Sequence, residues 1–114
     1  MNESVKGYLN KYPEEIVNLF NEIKNIIYDS ISLNIEEKLW ANIPSYYVGE
    51  SFIRLIAFKD HINIEATKII NYKEQLNGYR ITPKGMLQVF ANQEAPANIL
   101  KKIFFDTLIN KIKV

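Results

Sequence analysis

The chain has 114 residues, 47% hydrophobic and 24% charged, which is the composition of one globular domain and excludes a disordered or two-domain chain. A formal net charge of +1 leaves no field strong enough to draw in DNA or an anionic membrane. There is no cysteine, which removes disulfides, thiolate metal sites and cysteine nucleophiles together and fits a reducing cytoplasm.

The first residues, MNESVKGYLNKYPEE, are polar and charged, so no signal peptide is expected. No apolar run approaches the ~20 residues of a membrane span. The expected setting is cytoplasmic, with neither membrane nor nucleic acid as partner.

Ser4 to Asn10 reads as a short helix. Pro13 opens a longer one, because proline is tolerated where the first-turn N–H has no partner. Glu14 and Glu15 place negative charge at the positive end of its dipole. Ile16, Leu19, Phe20, Ile23, Ile26 and Ile27 follow the three-and-four spacing of one buried face, to about Ile31. Ser32 to Ile35 reads as a turn.

Lys38 to Ile43 is the first expected strand, stopped by Pro44, which cannot donate to a ladder. Gly49–Glu50 suits a hairpin turn between Tyr46–Val48 and Phe52–Phe58, and Lys59–Asp60 suits the next. His61 to Ala66 alternates: Ile62, Ile64 and Ala66 on one face, His61, Asn63 and Glu65 on the other. That pattern argues an antiparallel sheet with one face packed and the other more polar.

Thr67 is positioned to cap a helix running through Gln75, with Gly78 as its stop. Pro83–Lys84–Gly85 is turn chemistry before a strand over Met86–Ala91, and Pro96 opens a last helix. The order is α-α-β-β-β-α-β-α in one domain, an α+β fold with an antiparallel sheet packed against flanking helices.

An ordered set of short motifs resembles the YdhG-like family of small bacterial domains. It comprises Tyr8-Leu9, Pro13-Glu14-Glu15, Glu37-Lys38, Ile43-Pro44-Ser45-Tyr46 and Phe58-Lys59-Asp60-His61-Ile62. It continues through Tyr72-Lys73-Glu74, Leu76, Gly78-Tyr79, Lys84-Gly85, Gln88, Pro96, Leu100 and Ile103. The chain departs from the family pattern at Asn42, often Gly, at Asn63–Ala66, and at Val89-Phe90. The resemblance implies helices on an antiparallel sheet. It also implies the activity proposed for some members, frataxin-like intracellular delivery of Fe(II) to an accepting protein.

Three constellations are candidates for chemistry. Glu15, Glu22 and Asp29 recur every seven residues on the second helix, near one line that drifts only ~20° per heptad. Exposed carboxylates of this kind suit weak Fe(II) binding; the same spacing is common on a solvated helix flank. Next, His61, Asn63 and Glu65 project from one side of a strand. Their ends are roughly 13 Å apart, so they form the floor of a polar groove, with Arg54 beside it, rather than one ligand set. Finally, Trp40, Tyr46 and Tyr47 can supply aromatic walls for a small-molecule pocket, although such aromatic residues are by default core material.

No catalytic motif surrounds any serine, and no glycine loop suits phosphate. The function expected is therefore a non-enzymatic binding protein handling iron, or else a small-molecule or interaction module using an aromatic-walled sheet face. The last helix is apolar on more than one side, through Ile99, Leu100, Ile103, Phe104, Phe105, Leu108, Ile109 and Ile112. A monomer, with Phe105 and Ile109 buried within the chain, is favoured over a twofold dimer.

Overall fold

A computed structural model of the chain describes residues 2–109. Two helices come first, α1 (Glu3–Leu9) and α2 (Glu14–Ser30). Four strands follow in direct succession: β1 (Glu36–Trp40), β2 (Ile43–Val48), β3 (Ser51–Ala57) and β4 (His61–Glu65). A 3-10 segment (Thr67–Leu76), β5 (Arg80–Ile81), β6 (Leu87–Phe90) and α3 (Ala97–Ile109) complete the described chain. The strands form one antiparallel sheet in the order β1-β2-β3-β4-β6-β5, and the architecture is α+β.

The helices pack on one face of this sheet only. That face carries Tyr46 and Val48 from β2, Ile53, Leu55 and Ala57 from β3, Ile62 and Ile64 from β4, and Leu87 and Val89 from β6, all buried. Against them lie Ile16, Leu19, Phe20, Ile23 and Ile27 of α2 and Leu100, Ile103, Phe104 and Leu108 of α3. Each fully buried aliphatic side chain contributes about 1.5–3 kcal/mol relative to exposure. The side chains of alternate positions point to the other face, where none of the described helices lies.

Two sequence expectations change at β1 and β2. The first strand does not run from Lys38 to Ile43; it ends at Trp40, and Ala41–Asn42 is a two-residue turn with φ of 51° and 66°. Two left-handed residues in succession are the geometry of a tight hairpin whose twist matches the sheet. Asn tolerates that region, whereas Ala is strained there. Pro44 does not stop a strand but lies inside β2, opposite Leu39. The alternation of the ladder aims its ring nitrogen toward β3, just beyond the last β2–β3 pair, Ser45 with Arg54, so no ladder bond is lost.

Further corrections follow downstream. Thr67 does not cap an α-helix: the segment is 3-10 in type, has no side-chain cap and is kinked at Tyr72. Tethers to α3 dictate its path, because the Lys68 N–H donates to Thr107 Oγ1 at 3.3 Å and the Tyr72 hydroxyl donates to Asp106. The short strand β5 pairs with β6 around the Thr82–Met86 turn, where Gly85 has φ of 90°. Phe105 is 43% exposed rather than buried within the chain, because sheet, α2 and the 3-10 segment cover only the other side of α3. Ile109 is half-buried; Ile112 lies outside the described residues.

One carboxylate ties the layers together. Glu37 Oε2 accepts from the Tyr46 hydroxyl at 2.8 Å and lies 2.9 Å from Lys24 Nζ of α2. Its Oε1 accepts from the Asn2 N–H at 3.1 Å, and its backbone carbonyl accepts from Asn2 Nδ2 at 3.2 Å. Asn2 Oδ1 in turn caps α1 by accepting from the Ser4 N–H at 2.7 Å. Burial alone would raise the Glu37 pKa, but the hydrogen bonds from Lys24, Asn2 and Tyr46 outweigh it and hold the carboxyl below its ordinary 4.5. The Tyr46 hydroxyl is pushed well above its usual value by burial and by the Glu37 charge.

Glu37→Gln strands the Lys24 ammonium and is expected to cost about 3 kcal/mol at pH 7 in urea unfolding. The folded pKa of Glu37 is depressed, so its contribution is complete above the unfolded value and is lost as pH falls through the folded one. The gap between wild type and variant therefore narrows from about pH 4.5 downward. At the turn, Ala41→Asn relieves left-handed strain and is expected to raise stability by roughly 1 kcal/mol, read from the same unfolding midpoint.

Candidate site on the open sheet face

The uncovered face is built by register. Tight turns at Gly49–Glu50 and Lys59–Asp60 align Ser45, Arg54 and Glu65 in one row across β2, β3 and β4, and the β1 hairpin adds Lys38 to its end. The neighbouring row holds Glu36, Tyr47 and Phe52. Beyond them Ile56, Asn63, Gln88 and Arg80 share a row, and His61 stands opposite Phe90.

Arg54 is the centre of one half of this face. Its guanidinium carbon lies 3.9 Å from the centroid of the Trp40 ring and 3.8 Å from that of Phe52, so the cation is sandwiched between two aromatic faces. Its Nε donates to Ser45 Oγ and a terminal nitrogen to the Tyr47 hydroxyl, each at 3.1 Å. Glu65 Oε1 stands 3.7 Å from the other terminal nitrogen, an ion pair rather than a hydrogen bond. Arg54 is left 7% exposed. Lys38 repeats the motif outward, its ammonium 4.8 Å from the Tyr47 ring centroid. Desolvated cation–π contacts contribute up to about 2 kcal/mol each, more than an exposed ion pair does.

The other half centres on His61. Its ring lies between Phe58, at 4.5 Å between centroids and 7° between planes, and Phe90, at 4.8 Å and 28°. Nδ1 is 2.7 Å from Asp60 Oδ1, and Nε2 is 3.5 Å from Gln88 Nε2. With Nδ1–H donated to Asp60, Nε2 accepts from the Gln88 amide. No serine hydroxyl meets either nitrogen among the described residues. Beside this stack Asn63 holds Met86 Sδ at 3.9 Å through Nδ2, while its Oδ1 is buried with no partner.

Of the six ligand-binding candidates, Trp40, Tyr47, His61, Asn63 and Glu65 share this face. Tyr46 does not. It points through the opposite face into the core, with no exposed surface, because consecutive strand residues face opposite ways and its hydroxyl is taken by Glu37. Tyr46 therefore cannot serve as an aromatic wall beside the floor of His61, Asn63 and Glu65. Residues with no part in the sequence-level site, Phe52, Phe58, Gln88 and Phe90, belong to the face. Arg54 has a larger part than a place beside the polar row. The signal was present: two-residue turns fix the register, and the register puts Arg54 between Ser45 and Glu65.

The metal candidates do not converge. Glu15, Glu22 and Asp29 are all exposed along α2, and successive members stand roughly 10 Å apart along its axis at 1.5 Å per residue. Among the described residues no three His, Cys, Asp or Glu side chains come together to hold a metal ion. These residues do not fit a multidentate iron centre. Glu22 lines one groove, with Tyr79, Glu94 and Asn98, and Asp29 lines a different one, with Leu33 and Phe105. A separate cleft of about 670 Å³ between α1 and α2, lined by Lys6, Tyr12, Val17 and Asn21, contains none of the candidates.

No described helix is long and apolar enough to cross a membrane. Comparison with protein-family models, with curated proteins and with solved structures gives no match to this chain.

Arg54→Met keeps most of the side-chain volume but removes the charge and its hydrogen bonds. The expected cost is about 2–3 kcal/mol in denaturant unfolding, from two desolvated cation–π contacts and two hydrogen bonds. The emission of Trp40, the chain's single tryptophan, should shift to the red as its ring enters water.

Proposed function

We propose that the chain is a non-enzymatic binding module whose open sheet face receives a planar small molecule. One observation carries this reading: the face that no described helix covers displays two ordered aromatic stacks, Trp40–Arg54–Phe52 and Phe58–His61–Phe90, set in a polar sheet floor. Aromatic walls with a few fixed polar groups are how small-molecule sites gain area and orientation. Side chains locked by stacking lose little further freedom when a ligand arrives. A cytoplasmic setting remains part of the proposal, on the cysteine-free composition.

Catalysis has less support. Both His61 nitrogens are engaged, and the Ser45 hydroxyl is committed to the Ile43 carbonyl at 3.0 Å and to Arg54. Iron delivery, implied by the YdhG-like resemblance, has no converging ligand set behind it among the described residues.

The test is amide and side-chain NMR of the labelled chain titrated with indole, adenine and quinoline. Shifts confined to open-face residues such as Tyr47, Arg54, Asn63 and Gln88, with each compound recovered unchanged, are expected. Shifts centred on α2 or α3, or none with any compound while Fe(II) titrated anaerobically perturbs α2, would overturn the reading.

A further inference from the structure

Resting on that reading, we infer that the outer face of the Trp40 indole is the stacking platform, and that it takes an uncharged heteroaromatic ring in preference to a cationic one. Trp40 sits at the end of β1, beside the tight turn. Its inner face is covered by the Arg54 guanidinium, yet the residue remains 52% exposed, so the bare surface is the opposite side of the ring. The Arg54 fork is fixed by Ser45, Tyr47 and Phe52, and so gives the indole a fixed support on its inner face. Ile43, directly across the hairpin, is half-buried and supplies an apolar border.

The charge beneath the ring sets the selectivity. A bare indole attracts cations through its quadrupole. Here a permanent cation already occupies one face, 3.9 Å from the centroid. A ligand stacked on the other face at van der Waals contact stands roughly 7–8 Å from the guanidinium. Between the dielectric of a protein surface and that of water, the Arg54 charge by itself disfavours a cationic ring at this separation by roughly fivefold, an effect that the paired Glu65 carboxylate partly offsets. Methylated ammonium groups and pyridinium-type rings are opposed, and neutral purine- or quinoline-like rings are not. A nucleic-acid strand is a poor source of such a ring: Lys38 and Arg54 on this part of the face are matched by Glu36 and Glu65, and the chain carries only +1 overall. The occupant is a free small molecule.

The experiment compares quinoline with N-methylquinolinium, which differ by one methyl group and one charge. Binding is followed by NMR shifts of the Trp40 indole and by calorimetry. Wild type is expected to bind quinoline at least as tightly as the cation, with the largest shifts at Trp40, Lys38 and Ile43. Trp40→Leu, an exposed substitution, should remove binding. Arg54→Gln should move the affinity ratio roughly fivefold toward the cation, while Arg54→Lys, which keeps the charge, should leave it near wild type. Binding retained by Trp40→Leu, with shifts at His61 and Phe90 instead, overturns the platform but leaves an open-face binding module standing. A ratio unmoved by Arg54→Gln overturns the selectivity. Absence of binding by either ring anywhere on the face removes both inferences. An oligoadenylate that binds far more tightly than adenosine, at Trp40, overturns the choice of a free small molecule.

Discussion

The Glu37 carboxylate is the interaction on which the arrangement of layers depends. It is the point where three separate parts of the chain meet: the start of α1 through Asn2, the flank of α2 through Lys24, and the centre of the sheet through Tyr46. A buried carboxylate is unfavourable unless its oxygens are satisfied, and here each oxygen has a donor. The requirement fixes geometry as well as energy. α2 must lie where Lys24 reaches β1, and Tyr46 must point away from the open face. The hydroxyl that sequence inspection assigned to a ligand is thereby spent on holding the sheet to its helices. The same orientation leaves Tyr47, its neighbour, on the side where Arg54 gathers its partners.

The division of labour between the two sheet faces follows from period-two alternation. On the helix side the alternation selects Ile, Leu and Val, and packing there is conventional. On the other side it selects a mixture that no described helix covers: aromatic rings, three cations, carboxylates and amides. Such a face would be unfavourable if its rings stood apart in water. Arg54 and His61 each sit between two of them, so much of the aromatic surface is covered by a flat polar group rather than by solvent. Guanidinium suits that position because it is planar and weakly hydrated, and it can still donate along its edge to Ser45 and Tyr47.

Much of the fold was legible in the sequence because it follows from spacing. The apolar stripe of α2, the alternation of His61 to Glu65 and the turns at Gly49–Glu50 and Lys59–Asp60 gave helix, strands and antiparallel pairing. The Ala41–Asn42 turn was not legible, since alanine carries no signal for a left-handed backbone, and Pro44 then suggested a stop where a strand in fact continues. The 3-10 path of Thr67–Leu76 depends on Thr107 and Asp106, some 30–40 residues away in sequence, and no local pattern encodes it. For the site, five of the six candidates shared a face because alternation predicts it; Tyr46 failed because the alternation was not carried through the β2 register. The acidic line on α2 was legible as a line, but ligation needs convergence, which a straight helix does not supply.

The free edge of β1 has a consequence of a different kind. An edge strand with unpaired N–H and C=O groups is a template on which another chain can add, the first step toward a fibril. Here the outward groups belong to Glu37 and Leu39, and the Glu37 carbonyl is already taken by the Asn2 amide. The opposite edge, β5, is two residues long. Neither border offers the five or six consecutive pairings that a growing cross-β stack requires. A chain with a broad, sticky, uncovered sheet face thus keeps its margins closed, and the danger of lateral polymerisation is separated from the surface that displays its aromatic rings.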